Sequence, residues 1–352
     1  VVLSEDGMTV EDSGKLHKYD GAFYSKMSMN VDGGEAGTGV LNITADNEGL
    51  DTELHLTING GTINITSGND GINTNEDNVS VTTVNGGSVN IQVAGETGEG
   101  DGIDSNGWLV INGGAVTAAA CSDSGDAGID ATMGITINGG TVTAKAATSG
   151  SAQGAGIGAG SDDIGGDIII TGGIVTATGN DEGGAGIGAG SCTAVGSTRK
   201  DGKIGDITIT GGVVNASGGR NSAGIGYGNN CKEVGTITIS GGAVTATGNN
   251  TDGIRGYNDE TDFSTGQDGS ALILASSISD KFSREDWSGI IFEGNAGQLY
   301  GNPTLNMDAA IPSGKILTIP ENSVLTIGSG KTLTNNGTIG AYGEISGTLN
   351  QP

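Results

Sequence analysis

The sequence predicts an all-β fold, namely a right-handed parallel β-helix in which three sheets form a solenoid. Glycine supplies 70 of the 352 residues and proline only 4, which excludes a collagen-like chain. Hydrophobic residues make up 34% and aromatic residues 3%, too little for one large central core. A short sequence motif that contains a glycine pair also recurs along the chain, and internal repetition of this kind is typical of a solenoid.

The recurring motif consists of two short strands joined by the glycine pair, as in residues 56–65. The first glycines of the successive pairs are Gly60, Gly86, Gly113, Gly139, Gly172, Gly211 and Gly241. Their first three intervals, of 26, 27 and 26 residues, set the basic repeat, whereas the later intervals of 33, 39 and 30 residues predict inserted loops. The glycines are expected at corners where the backbone needs a positive φ or a close approach.

Each repeat contains a third short strand, as in Asp70-Gly71-Ile72, so three parallel sheets are expected. Alternation along a strand points every second side chain inward. The predicted interior columns, one for each sheet, are Leu50, Ile72, Ile103, Ile129, Ile157, Ile187, Ile225 and Ile254; then Ile58, Ile111, Ile137, Ile170, Ile209 and Ile239; and then Ile63, Val89, Val116, Val142, Val175, Val214 and Val244. Their mostly β-branched side chains suit a pleated surface.

The repeated sequence motif changes along the chain, and this change predicts three regions. Residues 1–257 carry the parallel β-helix, with repeats of about 26 residues and inserted loops. Residues 258–270 form a polar connection, and residues 271–352 form a C-terminal all-β segment that continues or caps the solenoid. The chain begins in the middle of a pattern and without a signal peptide, so we expect it to be a piece of a longer protein.

The formal net charge of −27 limits the possible partners. Nucleic acid and anionic membrane surfaces both attract basic proteins, so neither is expected here. No apolar run is long enough for membrane insertion, and we expect a monomer. The acidity then serves solubility or the binding of divalent cations.

Acidic residues occupy equivalent places in successive repeats of the N-terminal half. One outward column contains Asp51, Asn73, Asp104 and Asp130, and a second contains Glu48, Asp70 and Asp101, with Asp126 close by. Stacked strands place equivalent residues about 4.8 Å apart, where carboxylates repel one another. Either these acids are solvated at the surface, or they hold calcium, which prefers such oxygen ligands.

Three other surface features are candidates for binding. Trp108 is expected to face outward, where an indole can stack on a sugar ring, which makes it the candidate carbohydrate-binding residue.

The glycine-rich stretches 154–160 and 184–190 either pack beneath an inserted loop or form a flat platform for a ligand. An outward ladder of threonine and asparagine is either ordinary strand surface or an array that orders water, as in ice binding; mixed asparagines and uneven repeats weaken the latter. Its members are Asn64, Asn90, Thr117, Thr143, Thr176, Asn215 and Thr245.

The three cysteines favour an oxidising compartment. Cys192 and Cys231 follow equivalent strands of adjacent repeats by five and six residues, so a disulfide between them is expected, with Cys121 left single. The chain is therefore expected to be extracellular.

No catalytic residue is predicted. Calcium-dependent lyases of this fold need a basic residue beside the metal, and no lysine or arginine occurs between Lys26 and Lys145, the stretch that holds the whole acid column. This gap favours binding over cleavage.

Several stretches resemble the clostridial carbohydrate-binding β-helix family, which is similar in fold to pectate lyases. They are residues 21–26, Asp70-Gly71-Ile72, residues 101–106 and the repeated Ile-Asn-Gly-Gly-Thr-Val-Thr phrases. The resemblance covers about residues 15–150 and implies calcium on Asp70, Asp101, Asp104, Asp126 or Asp130, with cellulose or a pectic polymer as partner. The glycine-rich repeats and residues 311–320 resemble instead the repeats of large surface proteins of gut Firmicutes, which implies the surface of a Gram-positive bacterium.

Together these features predict a calcium-stabilised, non-catalytic polysaccharide-binding or adhesive module of a secreted or cell-surface bacterial protein. Two alternatives stay open: a pectate-lyase-like polysaccharide lyase and a structural adhesin spacer.

Overall fold

The computed structural model describes residues 21–94, 100–121, 125–147, 153–192, 194–195, 198–199, 202–231, 233–256, 271–275 and 287–351. Within these residues the chain is all-β, and it contains no helix. Most neighbouring strands pair in parallel, as the sequence predicts. No helix in this part of the chain could therefore span a membrane.

Successive strands of the chain belong to three sheets in turn. β1, β2 and β3 lie in different sheets, and β4 pairs beside β1 in the first sheet again. The first sheet contains β1 (Gly21–Ser25), β4 (Glu48–Thr52), β7 (Ile72–Thr74) and β10 (Ile103–Ser105), then β15 (Ile157–Gly158), β19 (Ile187–Gly188), β25 (Ile225–Gly226) and β29 (Ile254–Arg255). Parallel bridges from Ile103 to Ile129 and from Ile129 to Ile157 link its two halves. The second sheet contains β2 (Met29–Val31), β5 (His55–Ile58), β8 (Val81–Val84), β11 (Trp108–Ile111), β13 (Gly134–Ile137), β17 (Asp167–Ile170), β23 (Ile207–Ile209) and β27 (Ile237–Ile239).

The third sheet is the longest and runs through both predicted β regions. It contains β3 (Val40–Thr44), β6 (Thr62–Ser67), β9 (Ser88–Val93), β12 (Ala115–Ala119), β14 (Thr141–Lys145), β18 (Ile174–Thr178), β24 (Val213–Arg220), β28 (Ala243–Asn249), β30 (Ala271–Ala275), β31 (Gly289–Glu293), β32 (Ala296–Tyr300), β35 (Ile316–Ile319) and β38 (Thr338–Ala341). Because β28 pairs in parallel with β30, the C-terminal segment extends this sheet. The predicted polar connection, residues 258–270, lies outside the described residues.

The three predicted interior columns are confirmed. All their members are almost fully buried, and residues such as Ile72 and Ile103 pair directly across neighbouring strands. Burying each such side chain stabilises the fold by about 1.5–3 kcal/mol. The narrow core is thus a stack of β-branched rows, which explains how few aromatic residues suffice.

The glycine pairs form the corners between the second and third sheets. The second glycine of each pair has a positive φ, 87° at Gly61 and 82° at Gly87, a conformation that L-residues rarely adopt. A Cβ on Gly87 would also lie 2.5 Å from the carbonyl oxygen of Gly61. The repeat therefore requires glycine here, as the sequence analysis expected.

The longer repeats add strands outside the three main sheets. A small parallel sheet contains β16 (Ile164–Gly165), β22 (Lys203–Ile204) and β26 (Glu233–Val234), and an antiparallel pair contains β20 (Ala194–Val195) and β21 (Thr198–Arg199). Ile204 and Val234 are buried against the main core. Part of the inserted sequence thus forms strands of its own.

The C-terminal segment has shorter repeats and a second core. Its other strands are β33 (Thr304–Leu305), β36 (Val324–Ile327) and β39 (Glu344–Ser346) in one sheet, and β34 (Ala309–Ile311), β37 (Thr332–Asn335) and β40 (Thr348–Asn350) in another. The antiparallel pair β31–β32 precedes them. Trp287 is buried beside it, donates from Nε1 to the carbonyl oxygen of Ile239 at 3.2 Å, and so ties this segment to the last large repeat.

Candidate functional site

The acid column lies along the first sheet of the N-terminal repeats, and it is buried. Glu48 and Asp51 are 0% exposed, Asp70 is 6% and Asp130 is 5% exposed, while Asp101, Asp104 and Asp126 are half-buried. The expectation that these side chains are solvated at the surface is therefore wrong for the buried members. All five residues of β4 are buried, so the outward side of this sheet is covered as well as the inward side.

Hydrogen bonds link the acids from one repeat to the next. Asp70 Oδ1 accepts the backbone N–H of Asp101 at 2.8 Å, and Asp101 Oδ1 in turn accepts the N–H of Ala127. Asp126 Oδ2 accepts the N–H of Gly100. Each of these carboxylates therefore holds the backbone of a neighbouring repeat, which fixes the register of the corner.

An asparagine bridges the two acid columns. Asn73 is 3% exposed, and its Nδ2 donates to Glu48 Oε1 at 3.0 Å and to Asp70 Oδ2 at 3.4 Å. Asn75 donates likewise to Asp51 Oδ1. These neutral donors reduce the repulsion between carboxylates, but they supply no positive charge.

Burial and mutual repulsion raise the pKa values of three of these acids. For Asp70 the causes are burial first, then the charges of Asp104 and Glu48. For Asp101 they are burial, then the charges of Asp126 and Asp104. The pKa of Asp130 is also raised, by burial and then by the charge of Asp163. The structure therefore brings all five predicted metal ligands into one electrostatically connected column.

The column has the chemistry of a hard-cation site but is not a compact cluster. Its donors are carboxylate and amide oxygens, and the buried oxygens Asn73 Oδ1 and Asp130 Oδ1 have no hydrogen-bond partner. Calcium takes six to eight such oxygens, including backbone carbonyls. Among the described residues, however, no three acidic, histidine or cysteine side chains converge as a metal-binding group. The donor types fit calcium, with ligands spread along neighbouring repeats.

Trp108 begins β11 on the second sheet and is 39% exposed. It lies in register between Val81 and Gly134, and a Cβ on Gly134 would lie 3.7 Å from the Trp108 Cδ1 atom. Because Gly134 has no side chain, only its backbone lies beside the indole on this side. His55 lies in register beyond Val81, and exposed Met133 precedes Gly134. Sequence reasoning missed these neighbours, although strand register alone would have placed His55 and Val81 in this row.

The glycine-rich stretches of the middle repeats are covered. Gly158, Gly188 and Gly226 are all buried, and a Cβ on Gly158 would collide with the carbonyl oxygen of Gly188. These positions therefore serve tight packing, the first of the two interpretations. The burial contradicts an open platform for a ligand.

Cys192 and Cys231 form a disulfide, with their Cα atoms 4.8 Å apart. Gly202, just before β22, packs directly against the two sulfur atoms. Cys121 is a buried free thiol. The covalent link therefore lies where the longer repeats carry their additional strands.

A family model described as "Carbohydrate-binding domain-containing protein" matches residues 2–221. No curated protein and no solved structure shows significant similarity to the chain. The matched range includes the acid column, Trp108 and the first strands of the additional sheet.

Proposed function

Because the chain belongs to the family of carbohydrate-binding domain-containing proteins, we propose that it is a calcium-stabilised, non-catalytic polysaccharide-binding module of a secreted or cell-surface bacterial protein. The observation that carries the binding role is the exposed indole of Trp108 above Gly134, on an otherwise regular sheet. An aromatic face at the surface suits a pyranose ring, whose C–H groups pack against it. The polymer proposed is cellulose or a pectic polymer, as the resemblance implies.

We propose the right-handed parallel β-helix as the architecture. The chain passes through three sheets in turn and returns to each one in parallel, as β1, β4 and β7 illustrate. Crossover connections between parallel strands of one sheet are right-handed in about 98% of cases. Repeats stacked in this way would give the module a long, continuous surface.

Calcium is proposed at the acid column because buried like charges need compensation. Burying ionised carboxylates is costly unless they are paired or bind a cation, and no lysine or arginine occurs between Lys26 and Lys145. A bound divalent ion would supply that positive charge. Neighbouring members of the set Asp70, Asp101, Asp104, Asp126 and Asp130 would hold it together with backbone carbonyl oxygens, and the hydrogen bonds of Asp70, Asp101 and Asp126 to neighbouring repeats would keep their oxygens in place.

The binding role is tested by adsorption to insoluble polysaccharides, with wild-type protein and Trp108→Ala compared in the presence of calcium. Trp108→Ala is expected to bind about tenfold more weakly, since truncating an aromatic contact at the centre of an interface costs more than 1 kcal/mol. Tyr342→Ala is the matched control, because Tyr342 is 72% exposed but lies in the C-terminal segment outside the matched family range. Equal binding by wild type and Trp108→Ala would remove Trp108 from the site.

The same preparation distinguishes the two alternatives. New unsaturated sugar ends after incubation with polygalacturonate and calcium would establish a lyase and contradict the non-catalytic proposal. Failure to adsorb to any polysaccharide or glycan array, with the fold intact, would favour the structural spacer. The disulfide fits an oxidising, extracellular location, which localisation of the full protein would test.

A further inference from the structure

We propose that the outer face of the third sheet, from β3 to β28, is an extended docking surface for a neutral polysaccharide that lies flat against it. The proposal rests on the carbohydrate-binding function and names its surface and its class of polymer. It concerns a different face from Trp108, which lies on the second sheet.

The outward side chains of this face form three rows across eight strands, and all of them are exposed or half-buried. The first row is Val40, Thr62, Ser88, Ala115, Thr141, Ile174, Val213 and Ala243, of which five are apolar and three carry a hydroxyl group. The hydroxyl and amide row is Asn42, Asn64, Asn90, Thr117, Thr143, Thr176, Asn215 and Thr245. The third row is Thr44, Thr66, Gln92, Ala119, Lys145, Thr178, Ser217 and Thr247.

The face is almost uncharged in a strongly acidic protein. Among the side chains of these three rows Lys145 alone is charged, although the chain has 41 acidic residues and a net charge of −27. The acids lie instead along the first sheet and in other segments. A surface without carboxylates suits a neutral partner, because no charge other than that of Lys145 has to be removed from water on contact.

The rows stay in register although the repeats differ in length. Thr117, Thr143 and Thr176 pair directly across β12, β14 and β18, and Asn215 and Thr245 continue the same row. The first register shift lies between Ser217 and Arg220, at the edge of the face. At about 4.8 Å per strand the rows extend over about 34 Å, so the uneven repeats do not interrupt a regular surface.

The chemistry of the rows matches the two sides of an extended glycan. Ile174 and Val213 are 50% and 41% exposed, and they present methyl groups beside a parallel row of hydroxyls and amides. A polysaccharide chain likewise presents apolar C–H faces beside a hydroxyl-rich edge. At the adjoining corner Asn85, Asn112 and Asn138 bond to one another at 2.8–2.9 Å, which extends the uncharged polar surface.

The test measures adsorption to microcrystalline cellulose of wild-type protein, Thr143→Glu and Thr143→Lys. Either charge should weaken adsorption about tenfold, because it would be buried against a neutral surface. Thr238→Glu is the matched control, since Thr238 is an outward threonine on the second sheet, four strands away from Trp108, and it should adsorb like wild type. Thermal melting of all three variants confirms that each one is folded.

Each result either supports the third sheet as the docking surface or excludes it. If wild type adsorbs but the Thr143 variants adsorb equally well, the third sheet is not the docking surface, while the carbohydrate-binding proposal stands. If the charge at Thr143 instead dissociates a dimer in sedimentation, or abolishes thermal hysteresis in ice, the face serves a second copy or ice and the proposal is wrong. If wild type adsorbs to no polysaccharide, the failure lies with the proposed function itself.

Discussion

The first sheet presents the same buried isoleucine column in two different surroundings. Around Ile72 and Ile103 the flanking positions carry carboxylates, whereas around Ile157 and Ile187 they carry glycine and alanine. The first arrangement concentrates negative charge in a covered corner. The second leaves no side chain larger than a methyl group there, and it coincides with a small additional sheet and a disulfide.

This difference shows that one buried column can be flanked in two ways. The N-terminal repeats depend on balancing charge, so their stability should respond to cations and pH. The middle repeats depend on close backbone packing and a covalent link, so their stability should respond to steric change and to reduction.

The largest effect is expected from Gly188→Val in the middle repeats. A Cβ at this position would collide with the carbonyl oxygen of Gly226, and neither strand can move away within the stack. We expect a loss of about 4 kcal/mol in the free energy of unfolding, measured by urea denaturation. Gly340→Ala is the control, because its Cβ would meet only the Leu317 carbonyl oxygen at 3.9 Å. Equal losses in the two variants would contradict the packing role of the glycine column.

Reduction of the disulfide should be the next largest effect. The Cys192–Cys231 bond closes a loop of 39 residues, for which chain entropy gives an upper limit of about 4 kcal/mol. The double variant Cys192→Ser, Cys231→Ser should therefore melt at a lower temperature but keep its response to calcium. If the variant also lost that response, the two regions would not be independent.

Removal of calcium should lower stability by a somewhat smaller amount. An ion at a hundred times its dissociation constant stabilises the folded state by about 2.7 kcal/mol. Addition of EDTA should lower the melting temperature of the wild type, and by less in the variant Asp101→Asn, which lacks one proposed ligand. Asp46→Asn is the control, since Asp46 is exposed and outside the column. An unchanged midpoint in EDTA would remove the structural ion.

The smallest effect concerns pH in the absence of calcium. The pKa values of Asp70, Asp101 and Asp130 are raised in the folded protein, so the folded state binds more protons than the unfolded state. Stability then falls as pH rises between the ordinary aspartate pKa of about 3.9 and the raised values, and it increases on acidification from neutral pH. Melting curves in EDTA between pH 7 and pH 4 measure this, and a midpoint that falls steadily on acidification would contradict it. Asp101→Asn should weaken the dependence.

The burial of the acidic side chains could not be predicted from the sequence. Alternation correctly placed Leu50 inside and assigned Asp51 to the opposite side of the strand. It could not show that this side is covered, because side-chain alternation describes one strand and not what packs over it. The same limit applies to the glycine stretches, where the sequence left both packing and a platform open and the burial of Gly158 and Gly188 decided between them.

The sequence by itself determined the repeat, the interior columns and the glycine corners, because periodic apolar residues and the φ requirement of glycine are local properties. Positions such as Ile72 and Gly61 could thus be assigned without a structure. Only the tertiary structure decided the burial of Glu48, Asp70 and Asp130 and the regular register of the third sheet through repeats of unequal length. Both depend on how neighbouring repeats stack on one another in space, and no local pattern encodes that arrangement.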